Sequence, residues 1–261
     1  MPKNTSPVLI LDQHFMNDTA LIRRIVSLAG IRKGETVLEI GAGKGTVTRE
    51  IAKKAGNVIA VEIDPSLGRE LREMGIQNAE IVVENVLDFL DREKPNFDRI
   101  VSNTPYSICE ALVRRLPKFR FKKGVFAFPK SFAYRLIARQ GDKKRSKLSF
   151  FAQEFFDIKL MFEIPRVAFR PVPRTSSVAV VLVPKSKSLA AELLMRDKML
   201  LKNALREVFC TGFLGRKATK REARKAINSL KINNKLLVKR VADLDEKEFK
   251  HIETIVKRAK I

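Results

Sequence analysis

The stretch "FDRIVSNTPYSICEAL", residues 97–112, carries a short apolar run, Ile100-Val101, into Asn103-Thr104-Pro105-Tyr106 and then into a helical pattern. Asn and Pro are turn formers, and a Tyr often packs at a strand end, so a plain turn is one reading. The alternative is a site. An amide side chain, a backbone carbonyl aimed by the extended conformation of a pre-proline residue, and an aromatic ring are gathered at a strand terminus. The segments on either side decide between the two.

Upstream, "ETVLEIG" (35–41), "VIAVEID" (58–64) and "AEIVVENV" (79–86) read as strands, with "FDRIVSN" as a fourth. Between them, "VTREIAKKAG" (47–56) and "PSLGRELREMG" (65–75) read as helices that end in glycine. "DTALIRRIVSLA" (18–29) is a helix by its apolar spacing, with Asp18 as N-cap and Gly30 closing it. Downstream come helix at 107–116, strand at 124–128 and helix at 130–139. Strands alternating with short helices predict an α/β fold with a mostly parallel sheet. The strands at 157–164 and 176–184 have no helix between them and should pair antiparallel at one edge. After Pro184 the sequence turns helical and basic. The expected boundary is near 186, with residues 1–186 forming the main domain and 187–261 a small α-helical domain.

"LEIGAGKGTVTRE" sets Gly41, Gly43 and Gly45 between the first of these strands and its helix, where a ligand can approach backbone N–H groups. The second strand ends in Glu62, placed to accept from the two hydroxyls of a ribose. Together they point to a nucleoside-bearing cofactor. The early third glycine and Glu39 just before the loop favour S-adenosylmethionine over NAD. With that cofactor, Asn103-Thr104-Pro105-Tyr106 gains a purpose. The Asn103 side-chain oxygen and the Thr104 carbonyl can accept from the two N–H groups of a base amine, and Tyr106 can stack on the base. That chemistry calls for no metal. The two histidines, His14 and His251, have no neighbouring Cys or His at metal spacing.

Of the 261 residues, 52 are Lys or Arg and 29 Asp or Glu, a net charge of +23. Residues 1–113 are slightly acidic, whereas 114–147 hold 13 basic residues against Asp142 alone, and 187–261 hold 20 against 9. Two concentrated basic blocks suit a polyanion such as RNA. The candidate contacts are Lys143, Lys144 and Arg145 in the first block, and Arg216, Lys217, Lys220 and Arg221 in the second. No apolar run approaches a membrane span, the start lacks a signal-peptide layout, and two cysteines make no disulfide framework. A monomer in the cytoplasm is the expectation.

In these motifs the chain resembles the KsgA/Dim-type ribosomal RNA adenine N6-dimethyltransferases. The family's Q-x-F-L appears as Gln13-His14-Phe15-Met16, its E-I-G-x-G-x-G as Glu39–Gly45, its E-I/L-D as Glu62-Ile63-Asp64, and its N-L-P-Y as Asn103–Tyr106. "KRSKLSFFAQ" (144–153) and "PRVAFRPVPRTSSVAVVLVP" (165–184) are similar to its later segments. The resemblance implies a Rossmann-like class I S-adenosylmethionine-dependent methyltransferase acting on small-subunit ribosomal RNA during ribosome assembly. It implies cofactor contacts at His14, Met16, Gly41, Gly43, Gly45, Glu62, Ile63, Asn85, Val86 and Asn103. It also implies Phe169 stacking on the target adenine opposite Tyr106. Thr104 replaces the usual Leu, Asn85 stands where an Asp is usual, and "FPKSFAYRLIA" lacks a Gln-Lys-Glu; these departures leave the number of methyl groups open. Rival readings are an Erm-like enzyme for large-subunit RNA, a DNA adenine methyltransferase, and a non-catalytic assembly factor of the same fold.

Overall fold

The computed structural model describes residues 13–213, 215 and 217–259. The chain divides into two compact units: one runs up to Lys144 and resumes over Phe156–Pro184, and the other comprises Arg145–Phe155 and the chain from Lys185 onward.

In the first unit the elements run β1 (Phe15–Met16), α1 (Thr19–Ala29), β2 (Thr36–Ile40), α2 (Thr46–Ala52), β3 (Asn57–Glu62), α3 (Pro65–Glu73), β4 (Ala79–Val83), α4 (Val86–Glu93), β5 (Arg99–Asn103), α5 (Cys109–Arg115), β6 (Lys123–Pro129) and α6 (Lys130–Ile137). After α7 (Lys147–Phe155), which falls in the other unit, come β7 (Phe156–Ile164), β8 (Phe169–Arg170) and β9 (Ser177–Pro184). Seven strands form one sheet in the order β4-β3-β2-β5-β6-β9-β7, parallel from β4 to β6 and antiparallel at β9 and β7. The expected antiparallel edge is present. A two-residue pairing of β1 with β8 sits apart from the sheet and was not expected. The Asp18 carboxylate caps α1 by accepting from the Leu21 N–H at 3.0 Å, and Gly30 closes the helix in the left-handed region. The strand expected over 79–86 stops at Val83, because the Asn85 side chain caps α4 by accepting from the Leu87 N–H at 2.9 Å.

Side chains alternate across the sheet. Val37, Val58, Val101, Val125 and Val181 pack with α1 and α2 in one cluster. Phe126 and Phe128 are stacked at 5.1 Å, and Phe132 of α6 meets Phe128 edge-on at 5.0 Å.

The second unit contains α7, α8 (Leu189–Leu194), α9 (Leu201–Thr211), α10 (Lys220–Ser229), α11 (Asn234–Leu237) and α12 (Glu246–Arg258) around a core that includes Leu201, Leu205, Val208 and Ile252. Here the boundary differs from the expected one, since Arg145–Phe155 belongs with the helices. Arg145 donates to Glu246 at 2.6 Å, and the Phe150 ring lies 5.2 Å from that of Phe249. Both partners lie about a hundred residues downstream, beyond the reach of local pattern.

At the amino end of the parallel strands, a buried ion pair ties β2 to β5. Arg99 Nε and Nη2 donate to the two oxygens of Glu35 at 3.0 and 3.1 Å, and Arg99 Nη1 donates to the Ala29 carbonyl at 2.7 Å. These bonds, Arg99 foremost, hold the Glu35 carboxyl down at about 2. The folded-state value lies below the unfolded one, so the stabilisation is present above pH 4.5 and is lost as pH falls toward 2. Arg99→Leu strands the Glu35 charge and should cost about 3 kcal/mol in urea unfolding at pH 7. The deficit should shrink below pH 4.

Candidate active site

A cavity of about 400 Å³ opens at the carboxyl ends of the parallel strands. It is walled by Ile40, Gly41 and Gly43 after β2, Val61–Ile63 at the end of β3, Glu84–Val86 after β4, and Asn103–Ile108 after β5. Gln13, His14, Phe15 and Phe169 complete the lining. The volume is that of a small-molecule site.

The glycine loop is shaped by what it touches. Gly41 adopts φ +74°, and a Cβ there would lie 3.4 Å from the Asn103 carbonyl oxygen and 3.5 Å from Pro105 Cδ. Glycine therefore lets the loop lie against the segment after β5. Gly43 meets the Phe15 ring, which a Cβ would approach to 2.9 Å. The Gly43 N–H donates to Glu62 Oε2 at 2.8 Å, and Glu62 Oε1 accepts from the Asp64 N–H at 3.0 Å. Glu62 is thus anchored through both oxygens with a lone pair left on each, the requirement for receiving paired hydroxyls.

Asn103 ends β5 with its side chain turned by a single contact: Nδ2 donates to the His14 carbonyl at 2.7 Å. That leaves Oδ1 as the amide's acceptor. The Thr104 hydroxyl is tied inward to Ser102 Oγ at 2.8 Å, and Ser102 in turn donates to the Ile40 carbonyl at 3.0 Å. Its side chain is therefore engaged in packing, and only its backbone is available for chemistry. The Tyr106 hydroxyl and Ser177 Oγ are hydrogen-bonded at 2.8 Å, which fixes the ring. His14 Nδ1 donates to the Pro171 carbonyl at 2.8 Å, and its ring lies 5.8 Å from that of Tyr106.

Most residues singled out from the sequence meet in this cavity: His14, Gly41, Gly43, Glu62, Ile63, Asn85, Val86, Asn103, Thr104, Pro105 and Tyr106. Met16 and Gly45 do not line it. Met16 is buried in the core beside Phe169 on the β1–β8 pairing, and a Cβ on Gly45 would strike Met74 and Leu71. Phe169 reaches the cavity wall but is only 1% exposed, so in this conformation it packs as core and does not present its face. Asn85 commits one lone pair of Oδ1 to capping α4, which leaves the other lone pair and the Nδ2 hydrogens for a ligand. Phe15, Glu84 and Ser107 line the cavity without having been singled out. Phe15 stood inside the quoted N-terminal motif, whereas Glu84 and Ser107 carried no signal.

Of the basic candidates, Lys143, Lys144, Lys217, Lys220 and Arg221 are exposed. Arg145 is committed to Glu246 and Gln153, so it is a structural residue here. Arg216 lies outside the described residues. Lys220 and Arg221 open α10, where the helix dipole disfavours cations, so their placement gains nothing for the helix itself.

Glu39 lies below the loop on the α1/α2 side of β2, 1% exposed. Its Oε2 and the hydroxyl of buried Thr48 on α2 each lack a hydrogen-bond partner. Burial pushes its carboxyl up to about 8, offset in part by Thr48 and reinforced by the charge of Glu62. Between pH 4.5 and 8 the folded chain therefore holds a proton that the unfolded chain releases, and this residue lowers stability as pH rises. Glu39→Gln should raise the urea midpoint by an increment that grows from pH 5 to pH 8. A constant increment would show an ionised Glu39.

A family model described as ribosomal RNA adenine dimethylase matches residues 10–251. The chain is 38% identical over 176 residues to a protein of Methanosarcina acetivorans named probable ribosomal RNA small subunit methyltransferase A, covering 67% of this chain and 64% of that one. That match spans less than two thirds of the relative's own length. To the Pyrococcus furiosus protein of the same name it is 33% identical over 263 residues, covering 97% and 93%. Among solved structures, a dimethyladenosine transferase from Plasmodium falciparum is similar at 26% identity and a TM-score of 0.66, covering 95% of this chain and 99% of that one. The 23S rRNA methyltransferase ErmE is similar at 26% identity and 0.60, covering 93% and 99%.

Proposed function

The chain belongs to the ribosomal RNA adenine dimethylase family, and from that membership we propose that it transfers methyl groups from S-adenosylmethionine to N6 of adenosines in small-subunit ribosomal RNA. The observation that carries the reading is the Asn103 amide, turned by the His14 carbonyl so that Oδ1 faces out as an acceptor.

The residues fit the cofactor. Glu62 keeps a lone pair on each oxygen for the ribose hydroxyls, Asn85 and Val86 stand where an adenine ring would be held, and Gly41 leaves a space that a side chain would fill. When bound, S-adenosylmethionine supplies a methyl group on a sulfonium that departs as a neutral thioether.

The chain's own task is to make a poor nucleophile competent. The lone pair of an adenine amine is delocalised into the ring. Asn103 Oδ1 and the Thr104 carbonyl accept its two N–H groups, favour a pyramidal nitrogen and stabilise the positive charge that develops on it as the N–C bond forms. The amine proton then leaves to solvent. Tyr106, fixed by Ser177, offers a face on which the flipped-out base stacks. For Phe169 to close the other face, the segment around it must open from the packing described above. All the lining side chains come from one chain, which suits a monomer acting in the cytoplasm. Among the described residues no helix is long and apolar enough to cross a membrane.

The test is transfer of labelled methyl to immature small ribosomal subunits, large subunits and DNA, with the product nucleosides resolved. N6,N6-dimethyladenosine on small subunits is expected. Transfer to large subunits alone would favour an ErmE-like substrate, and no methyladenosine on any nucleic acid would sink the enzymatic reading. Asn103→Ala should lower turnover by about 10²–10³, the scale of one lost transition-state contact, while RNA affinity stays within about threefold. Asn85→Asp replaces a neutral acceptor with a charged one and should lower the Kd for S-adenosylmethionine by roughly threefold to tenfold, measured by titration calorimetry.

A further inference from the structure

Only two tyrosines occur in the chain. Tyr106 belongs to the site described, whereas Tyr134 on α6 is 43% exposed. A single exposed aromatic is ordinary, but the surroundings of this one are not. The Lys144 ammonium lies over its ring, 5.7 Å from the centroid. Lys143 and Lys144 are both exposed, in a block whose sole acid, Asp142, accepts from the Arg139 N–H at 2.6 Å.

The topology also brings Tyr134 toward the candidate active site. β6 pairs with β5 so that Ala127 lies opposite Asn103, and α6 starts three residues later, at the same edge of the sheet. Arg135, next to Tyr134, pairs with Glu110 at 3.6 Å, and Glu110 lies four residues past Tyr106 in the first turn of α5. The other cations of α6 are occupied: Lys130 pairs with Glu163 at 2.7 Å, and the Arg135 guanidinium lies 5.1 Å from the Phe132 ring centroid.

We propose that Tyr134, with Lys143 and Lys144, forms a second base platform, which stacks an unpaired nucleotide flanking the target adenosine and binds its phosphate. The proposal rests on the RNA methyltransferase reading above. An aromatic ring with an adjacent cation is the general device for holding single-stranded nucleic acid, because every base has a face to stack and every nucleotide carries a phosphate. A nucleotide next to a flipped-out adenosine has lost a stacking neighbour and is available for such a contact.

The experiment measures the Kd of wild type, Tyr134→Phe and Tyr134→Leu for immature small ribosomal subunits by filter binding, with S-adenosylmethionine affinity and thermal unfolding as controls on folding. Tyr134→Leu should weaken RNA binding by roughly tenfold, the scale of one lost base stack, and Tyr134→Phe by less than threefold. Cofactor affinity should not move in either. An unchanged Kd for Tyr134→Leu overturns the platform, and so does an equal loss in the Phe variant, which would assign the effect to the hydroxyl. Failure of the enzymatic reading would appear separately, as absence of methyl transfer by the wild type. If a variant unfolds, the Kd of Lys144→Gln decides in its place: weaker binding supports the platform and an unchanged value overturns it.

Discussion

The hydrogen bond from Asn103 Nδ2 to the His14 carbonyl joins the two halves of the candidate active site. On one side is the end of β5, a strand held in the middle of the sheet by parallel neighbours. On the other is the segment leading into β1, whose only strand partner is β8. Through this bond the loop from Gln13 to Met16 is drawn over the strand ends. Phe15 then seats on Gly43, Met16 enters the core, and β8 is brought to the cavity wall with Phe169. The same bond spends the donor half of the Asn103 amide, so that its acceptor half is what remains for a substrate. One contact thus both closes the pocket and assigns its polarity.

Electrostatics divide the molecule in a way that suits this arrangement. The cavity carries Glu62 and Glu84, and Glu39 lies beneath it, protonated at neutral pH because burial outweighs ionisation. A cationic sulfonium is well matched to such walls. The exposed lysines and arginines of the 114–147 block and of α10 carry the opposite sign, suited to phosphates. At the far end of the sheet, Arg99 and Glu35 hold β2 and β5 together, and the ends of these same strands bear the glycine loop and Asn103.

Much of this was legible in residue pattern. The alternation of strands and glycine-ended helices is local, and so is the capping of α1 by Asp18; the edge strands declared themselves by the lack of a helix between them. Glu62 and Asn103 were visible because each sits at a strand end, where side chains converge on ligands. What escaped depends on distant partners. Arg145 reads as an RNA contact until Glu246, 101 residues away, is seen to hold it. Asn85 reads as an acceptor for the cofactor until Leu87 is found to share its oxygen. Met16 and Phe169 carry the motif of a binding site, yet both are packed into the core through a pairing only two residues long, too short to leave a period in the sequence.

The account stands on the Asn103 amide being set by its donor. Asn103→Asp separates the two roles of that side chain, since a carboxylate keeps the acceptor but sets an anion against the His14 carbonyl oxygen. Turnover of Asn103→Asp on immature small ribosomal subunits at saturating S-adenosylmethionine should fall by roughly 10² or more, the scale of one misplaced transition-state contact. Turnover within a few-fold of wild type would contradict the account, because an acceptor alone would then suffice and the His14 contact would have no part in aiming it.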